Sequence, residues 1–234
     1  PKLTDILIRS ATDVHVVDTQ IFLLKNYGLS AEQKFIKRIG DIFISGLAIV
    51  LLSWLMLIIA ICIHAEDRGP VFYRQKRLTR DAEPFMIIKF RSMRVDAEKM
   101  GAQLSQKEDP RVTKVGKTLR VSHLDEIPQL FNVFKGDMSL VGPRPERPEI
   151  MEEYIEHVPE FGYRLKVKGG MTGYAQVYGK YNTTPYNKLR LDLIYIQNYT
   201  VWLDLKCMVA TLKVIFRKET SEGVEGGQIN ALKK

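Results

Sequence analysis

The chain has 234 residues, enough for one substantial domain with an appendage, and its 45% hydrophobic content gives no compositional basis for disorder. Its 35 basic and 27 acidic residues give a net charge of +8, of which about +5 lies between residues 34 and 80. This excess surrounds one apolar run and lacks interleaved arginines and aromatics, so it favours a membrane surface and excludes a nucleic-acid platform. Two cysteines, Cys62 and Cys207, stand far apart in apolar contexts without metal-ligand spacing, which predicts two buried reduced thiols.

Residues 1–33 alternate short apolar pieces with polar breaks: ILI at 6–8, VHVV at 14–17 and IFLL at 21–24. They read as a helix end followed by two strands, the trailing edge of a preceding α/β domain and its linker. The chain opens on Pro1 rather than methionine, and the apolar run begins too late for a cleavable signal, so a fragment of a longer polypeptide is expected.

From Ile42 to Ile63 no charged residue occurs, and 22 helical residues extend about 33 Å. Lys34, Lys37 and Arg38 precede this run; Arg68, Arg74, Lys76, Arg77 and Arg80 follow it. Basic residues on both flanks imply that both ends return to one membrane face, so residues 34–66 are expected to form a re-entrant helix rather than a span. Ser53 stands at the middle, where a hydroxyl can bond the carbonyl four residues earlier and favour a bend. Trp54 beside it is unusual at the centre of a spanning helix, because Trp prefers the interface.

VFYRQKR and PFMIIKFRSM, the latter at 84–93, alternate as strands and place Lys89 and Arg91 on one face. A polar helical stretch, VDAEKMGAQLSQKED, ends at Pro110. Between Gly116 and Pro145, Asp125 and Glu126 stand between Arg120 and the turn Gly142–Pro145. Ser122, Asp125 and Pro128 fit a capping pattern, which puts both acids at a helix N-terminus whose dipole favours anions. EIMEEYIEHV reads as a helix with a solvated acidic face, and VKGGMTGYAQVYGKY as a glycine-rich loop able to approach a ligand. In the last helical pattern, Leu205, Met208, Val209, Leu212 and Ile215 make an apolar stripe opposite Lys206, Lys213 and Arg217. That stripe fits an interfacial helix and an ordinary packed helix equally well. The catalytic domain is thus expected over 67–219, with a loose tail at 220–234.

Adjacent acids at a helix start are common, so the pair alone is a weak signal. Arg144 between two prolines says more, because a rigid turn fixes a planar guanidinium that suits phosphate oxygens. The acids can hold Mg²⁺ or act as a nucleophile. His15, His64, His123 and His157 have no metal-ligand spacing, and no Walker loop, GxGxxG, GxSxG or HExxH occurs.

KRIGDIFISGLAIVLLSWLMLIIA, GPVFYRQKR, IIKFRSM, LRVSHLDEIPQLFNVFKGDMSLVGPRP and GGMTGYAQV occur in this order. Over about residues 34–218 the series resembles the bacterial sugar transferase family, the monotopic polyprenyl-phosphate phosphoglycosyl transferases. The resemblance implies an α+β, predominantly helical membrane domain with a re-entrant helix, a small sheet and interfacial amphipathic helices. It implies that UDP-sugar and undecaprenyl phosphate are substrates, on the cytoplasmic face of the bacterial inner membrane, at the first membrane step of exopolysaccharide, capsule or O-antigen synthesis. By the same resemblance Asp125 attacks the β-phosphorus, UMP leaves, and undecaprenyl phosphate takes up the sugar phosphate. Glu126 is its dyad partner, and both acids are implied ligands of Mg²⁺. Arg120, Arg144, Lys89 and Lys168 are the implied phosphate-binding residues. A homodimer is a possible assembly by likeness to the larger members, and the sugar stays open between glucose, galactose and modified sugars.

Several positions depart from the family pattern. Ser53-Trp54 replaces Ser-Pro, and Lys168-Gly169-Gly170 replaces Arg-Pro-Gly. Thr79 and Ala82 stand where glycines are usual, and His123 replaces a serine. The rival expectations are a non-catalytic adaptor binding anionic lipid and a metal-dependent lipid-diphosphate hydrolase.

Overall fold

The computed structural model describes residues 11–16, 19–24, 28–97, 109–179 and 184–215. Strands β1 (Ala11–Val16) and β2 (Thr19–Leu24) pair antiparallel, from Ala11 opposite Leu24 to Val16 opposite Thr19. Both strands expected within residues 1–33 are therefore present, while the helix end before them and the tail at 220–234 lie outside the described residues. So does most of the polar stretch before Pro110.

Helix α1 (Ala31–Asp67) carries the apolar run. Ser30 starts it through a reciprocal cap: Gln33 N donates to the Ser30 hydroxyl at 3.2 Å, and Ser30 N donates to the Gln33 side chain at 2.9 Å. Arg68 ends it in the left-handed region (φ 56°), its N–H donating to His64 O. The 37 residues make one uninterrupted helix about 55 Å long. Ser53 does not break it, and its hydroxyl donates to Val50 O, three residues back, at 2.8 Å. The four-residue bond occurs instead at Ser45, whose hydroxyl donates to Asp41 O at 2.5 Å.

Both ends of α1 are fastened to the same body. Near its start, Lys37 pairs with Asp204 at 2.5 Å, and Arg38 donates to Val133 O and Phe134 O, each at 2.8 Å. Near its end, Ile59 and Ile63 are buried against Phe90, Leu119, Ile127 and Leu130. Glu66 accepts from Lys114 N at 2.8 Å, and Asp67 pairs with Arg91. The outward face is apolar: Phe43, Val50, Leu51, Trp54 and Leu57 are each more than 60% exposed. Cys62 also faces outward, so the expectation of two buried thiols holds only for Cys207.

After α1, strands β3 (Phe72–Leu78) and β4 (Pro84–Phe90) pair antiparallel, Tyr73 opposite Lys89 and Arg77 opposite Phe85. Helix α2 (Lys114–Val121) leads into a one-turn 3₁₀ segment (Leu124–Glu126), followed by α3 (Gln129–Lys135) and β5 (Ser139–Val141). Then come α4 (Pro148–His157), a 3₁₀ segment (Pro159–Lys166), β6 (Gly170–Thr172) and α5 (Tyr174–Tyr178). Helices α6 (Pro185–Gln197) and α7 (Val201–Ile215) close the described chain. Among the described residues the protein is mostly helical, as expected, and its strands form three two-stranded sheets rather than one small sheet. β5 and β6 pair in parallel, Ser139 opposite Gly170 and Val141 opposite Thr172.

One core gathers Val141, Met151, Phe161, Leu189, Leu193 and Cys207; a second joins α1 to β4, α2 and α3; a third centres on Phe85, Val133 and Met138. Leu140 packs against all three, which puts β5 at the junction of the body. On α7, Asp204 and Cys207 are buried, whereas Trp202, Leu205, Val209 and Leu212 are exposed. Leu205, Val209 and Leu212 of the apolar stripe therefore point outward, on the same kind of surface as α1, while Met208 packs against the first core.

Candidate active site

Three elements and one turn deliver the side chains that the sequence singles out. β4 carries Lys89, α2 carries Arg120, the 3₁₀ turn carries Asp125 and Glu126, and the segment after β5 carries Arg144. Between α2 and the acids the chain reverses at His123, which adopts the left-handed region at φ 55°. The expected cap is displaced. Ser122 ends α2, its hydroxyl donating to Thr118 O at 2.8 Å, and Pro128, lacking an N–H, is the cap from which α3 starts. The acids thus sit one turn ahead of the helix, not at its first residues.

Glu126 is the better-held acid. Its Oε1 accepts from Lys89 Nζ at 2.6 Å and from Arg144 Nη2 at 2.7 Å, with Arg144 Nη1 3.5 Å from Oε2. Burial works against its charge, but Arg144 and Lys89 outweigh that and hold the carboxyl well below the usual range. Asp125 differs. Burial pushes its carboxyl up and the neighbouring Glu126 charge adds to this, while Lys89, Arg120 and His123 act in the opposite sense. The Lys89 ammonium is pushed down, chiefly by burial, and Arg144 is raised, chiefly by Glu126. Arg120 donates to Ser92 Oγ at 3.0 Å.

A ladder on one sheet face ties Lys89 to the Arg144 turn. Tyr73, opposite Lys89, accepts from Gln75 Nε2 at 2.8 Å; Gln75 accepts from Arg77 at 2.6 Å; Arg77 Nη1 donates to Pro145 O at 3.1 Å. Arg91 does not share that face, because it lies past the end of β4 and turns to Asp67. The turn itself packs backbone on backbone: a Cβ on Gly142 would lie 2.5 Å from Lys168 O, and one on Gly170 would lie 2.1 Å from Gly142 N. Gly142 N donates to Thr172 O at 2.8 Å and Gly170 N to Pro143 O at 2.9 Å.

Asp125, Glu126, Arg120, Arg144 and Lys89 therefore come together. Lys168 does not join them: its ammonium donates to Gly136 O at 2.5 Å, at the C-terminus of α3. The glycine-rich stretch reaches the site through backbone, and this residue's side chain turns the other way.

Sequence reasoning missed the layer beneath. Glu146, directly after the turn, is buried and takes Lys188, with Arg164 at 3.4 Å and Arg77 at 3.8 Å. Arg164, 1% exposed, in turn pairs with Asp192 at 2.8 Å. Glu146 beside the turn was the one available signal; its partners lie in separate elements with no common spacing. Asp41 was also missed, since one acid before an apolar run reads as a flank.

Among the described residues no third carboxylate, His or Cys joins the pair in a metal-holding group. Two adjacent carboxylates do not make a protein cage, but they fit Mg²⁺, which keeps waters and shares substrate phosphate oxygens.

Two adjacent acids, one paired with two cations, thus lie among the basic side chains of Lys89, Arg120 and Arg144. The family model for bacterial sugar transferases matches residues 32–218, and the chain belongs to that family. It is 43% identical over 184 residues to a UDP-N-acetylgalactosamine-undecaprenyl-phosphate N-acetylgalactosaminephosphotransferase from Aeromonas hydrophila, covering 77% of this chain and 44% of the relative. It is 41% identical over 181 residues to a UDP-glucose:undecaprenyl-phosphate glucose-1-phosphate transferase from Klebsiella pneumoniae, covering 75% and 39%. A shorter relative, a putative undecaprenyl-phosphate N-acetylgalactosaminyl 1-phosphate transferase from Bacillus subtilis, is 49% identical over 132 residues, covering 56% and 73%. The chain thus spans about two fifths of the length of the first two relatives.

Proposed function

We propose that this chain transfers a sugar 1-phosphate from a UDP-sugar to undecaprenyl phosphate through a covalent intermediate on Asp125. The observation that carries the reading is the unequal treatment of the two acids. Glu126 Oε1 is held by Lys89 and Arg144, while Asp125, among the described residues, makes no hydrogen bond or ion pair. A half-buried carboxylate with no paired cation is a better nucleophile than one neutralised twice.

An Asp125 oxygen attacks the β-phosphorus of the UDP-sugar, the bond to UMP breaks, and UMP leaves with the electron pair. The phosphate oxygen of undecaprenyl phosphate then attacks the same phosphorus and returns the Asp125 carboxylate. Arg120 and Arg144 offset the charge that grows on phosphoryl oxygens, and Lys89 keeps Glu126 ionised and in place. Asp125 and Glu126 would hold Mg²⁺, which supplies further positive charge to the diphosphate when bound. Lys168 acts at a distance, by closing the end of α3.

The outward apolar faces of α1 and α7 support seating in a lipid surface. Both ends of α1 bind one body, which supports both lying on one membrane face, and the substrates of the proposed transfer put that face on the cytoplasmic side of the inner membrane. The relatives' names support the substrate classes, and they differ in the sugar.

The test is incubation with UDP-sugars without a lipid acceptor. A sugar-phosphate mass on the peptide holding Asp125, with UMP released in equal amount, is expected, and Asp125→Asn should abolish both. A fully active Asp125→Asn variant would overturn the reading.

A further inference from the structure

Asp41 stands one residue before the uncharged run of α1 and is 6% exposed. A buried carboxylate at the head of an apolar helix is costly unless it is hydrogen-bonded. Its bonds converge on one strand: Oδ1 accepts from Ser139 Oγ at 3.1 Å and from Leu140 N at 3.0 Å. β5 pairs with β6 along one edge, where Ser139 N donates to Gly169 O at 2.8 Å. The Leu140 N–H points to the opposite edge, where a strand interior would find a neighbouring strand. Here Asp41 stands in for that strand.

β5 is three residues long and runs directly into the Gly142–Pro145 turn. So short a strand is placed by whatever holds its two edges. Lys37, one helical turn before Asp41, reinforces the hold: it pairs with Asp204 and lies 3.3 Å from the Tyr195 hydroxyl. That hydroxyl donates to Asp204 Oδ1 at 2.7 Å and lies 3.2 Å from Val141 O, the last residue of β5.

We propose that Asp41 is a positioning residue for Arg144. By holding the free edge of β5 it sets where the guanidinium meets Glu126, and so couples the seat of α1 to phosphate handling. Its effect on turnover rests on the transfer reaction proposed above; its effect on β5 does not.

The test uses the full chain in nanodiscs of phosphatidylethanolamine and phosphatidylglycerol, with Asp41→Ala and Asp41→Asn. Amide exchange of the peptide covering 139–145 should rise about tenfold or more in Asp41→Ala, with the core of α6 unchanged. Asp41→Asn keeps an acceptor oxygen and should stay within about threefold of wild type. UMP release should fall about tenfold in Asp41→Ala, but less than about twofold when the change is made on top of Arg144→Lys, because both act through one contact. Multiplicative losses in the double variant, exchange over 139–145 that does not change, or exchange that rises everywhere would each overturn the proposal. If the wild type releases no UMP from any UDP-sugar, the transfer reading falls and the exchange result alone decides the role of Asp41.

Discussion

Arg144 Nη2 meets Glu126 Oε1 at 2.7 Å, across 18 residues of sequence, and with Lys89 it makes that carboxylate the most heavily compensated group of the site. The contact sets apart two acids that are neighbours in the chain. Asp125 lies within the field of the same cations but pairs with neither, which in the proposed transfer leaves its lone pairs for the substrate.

The acid limb of the pH profile should report Asp125. Burial and the Glu126 charge raise its carboxyl above 3.8, and transfer needs it ionised, so adduct formation falls as pH drops through that raised value. Glu126→Gln removes the like charge and frees two cations, and both effects lower the Asp125 value. The limb of adduct formation should therefore move to lower pH in Glu126→Gln; an upward or absent shift contradicts the assignment.

Arg144→Lys should not behave as a conservative change. A lysine keeps the charge but loses the planar fork that holds Glu126 and, in the proposed transfer, a phosphate oxygen. A loss on the order of 10- to 100-fold in kcat/KM for UMP release is expected, mainly in kcat. Steady-state assays over a range of UDP-sugar concentration separate the two parameters.

Glu146→Gln should be felt as stability. Burial works against this carboxylate, yet Lys188, Arg164 and Arg77 hold it at about 2, below its ordinary 4.5. A depressed carboxyl contributes stability above its unfolded value and loses it as pH falls from about 4.5 towards about 2. Removing one member of a buried charge group costs about 3–5 kcal/mol. Denaturant unfolding should show that gap at pH 7 and a smaller one at pH 3.

Ala82→Gly should stabilise the protein. Ala82 is exposed and held at φ 60°, a left-handed conformation in which its Cβ costs about 1–2 kcal/mol. Glycine relieves that strain but loses more chain entropy on folding, leaving a net gain of about 0.5–1 kcal/mol. Thermal unfolding should show a rise of a few degrees, with transfer activity unchanged. Thr79, at φ −116°, has no such strain, and its hydroxyl donates to Asp137 O at 3.0 Å.

The seat of α1 can be read by labelling. In a background lacking the exposed Cys62, Lys34→Cys and Arg68→Cys should react with an impermeant thiol reagent from the same side of sealed vesicles. Labelling from opposite sides would mean that the helix spans.

Residue order alone was enough for what depends on local pattern. The uncharged run from Ile42 to Ile63 specifies an apolar helix because no polar face can form over 22 residues, and alternation marks β3 and β4. The Asp125-Glu126 pair and the Pro-flanked Arg144 were legible for the same reason. Tertiary structure decided whatever depends on direction and on partners distant in the chain. It turned Leu205, Val209 and Leu212 of α7 outward, sent Lys168 to Gly136 and Arg91 to Asp67, and paired Glu126 with two cations while pairing Asp125, among the described residues, with none. A hydrophobic period says which residues share a face but not what covers it. The spacing of two acids likewise cannot tell which one a lysine 37 residues away will bind.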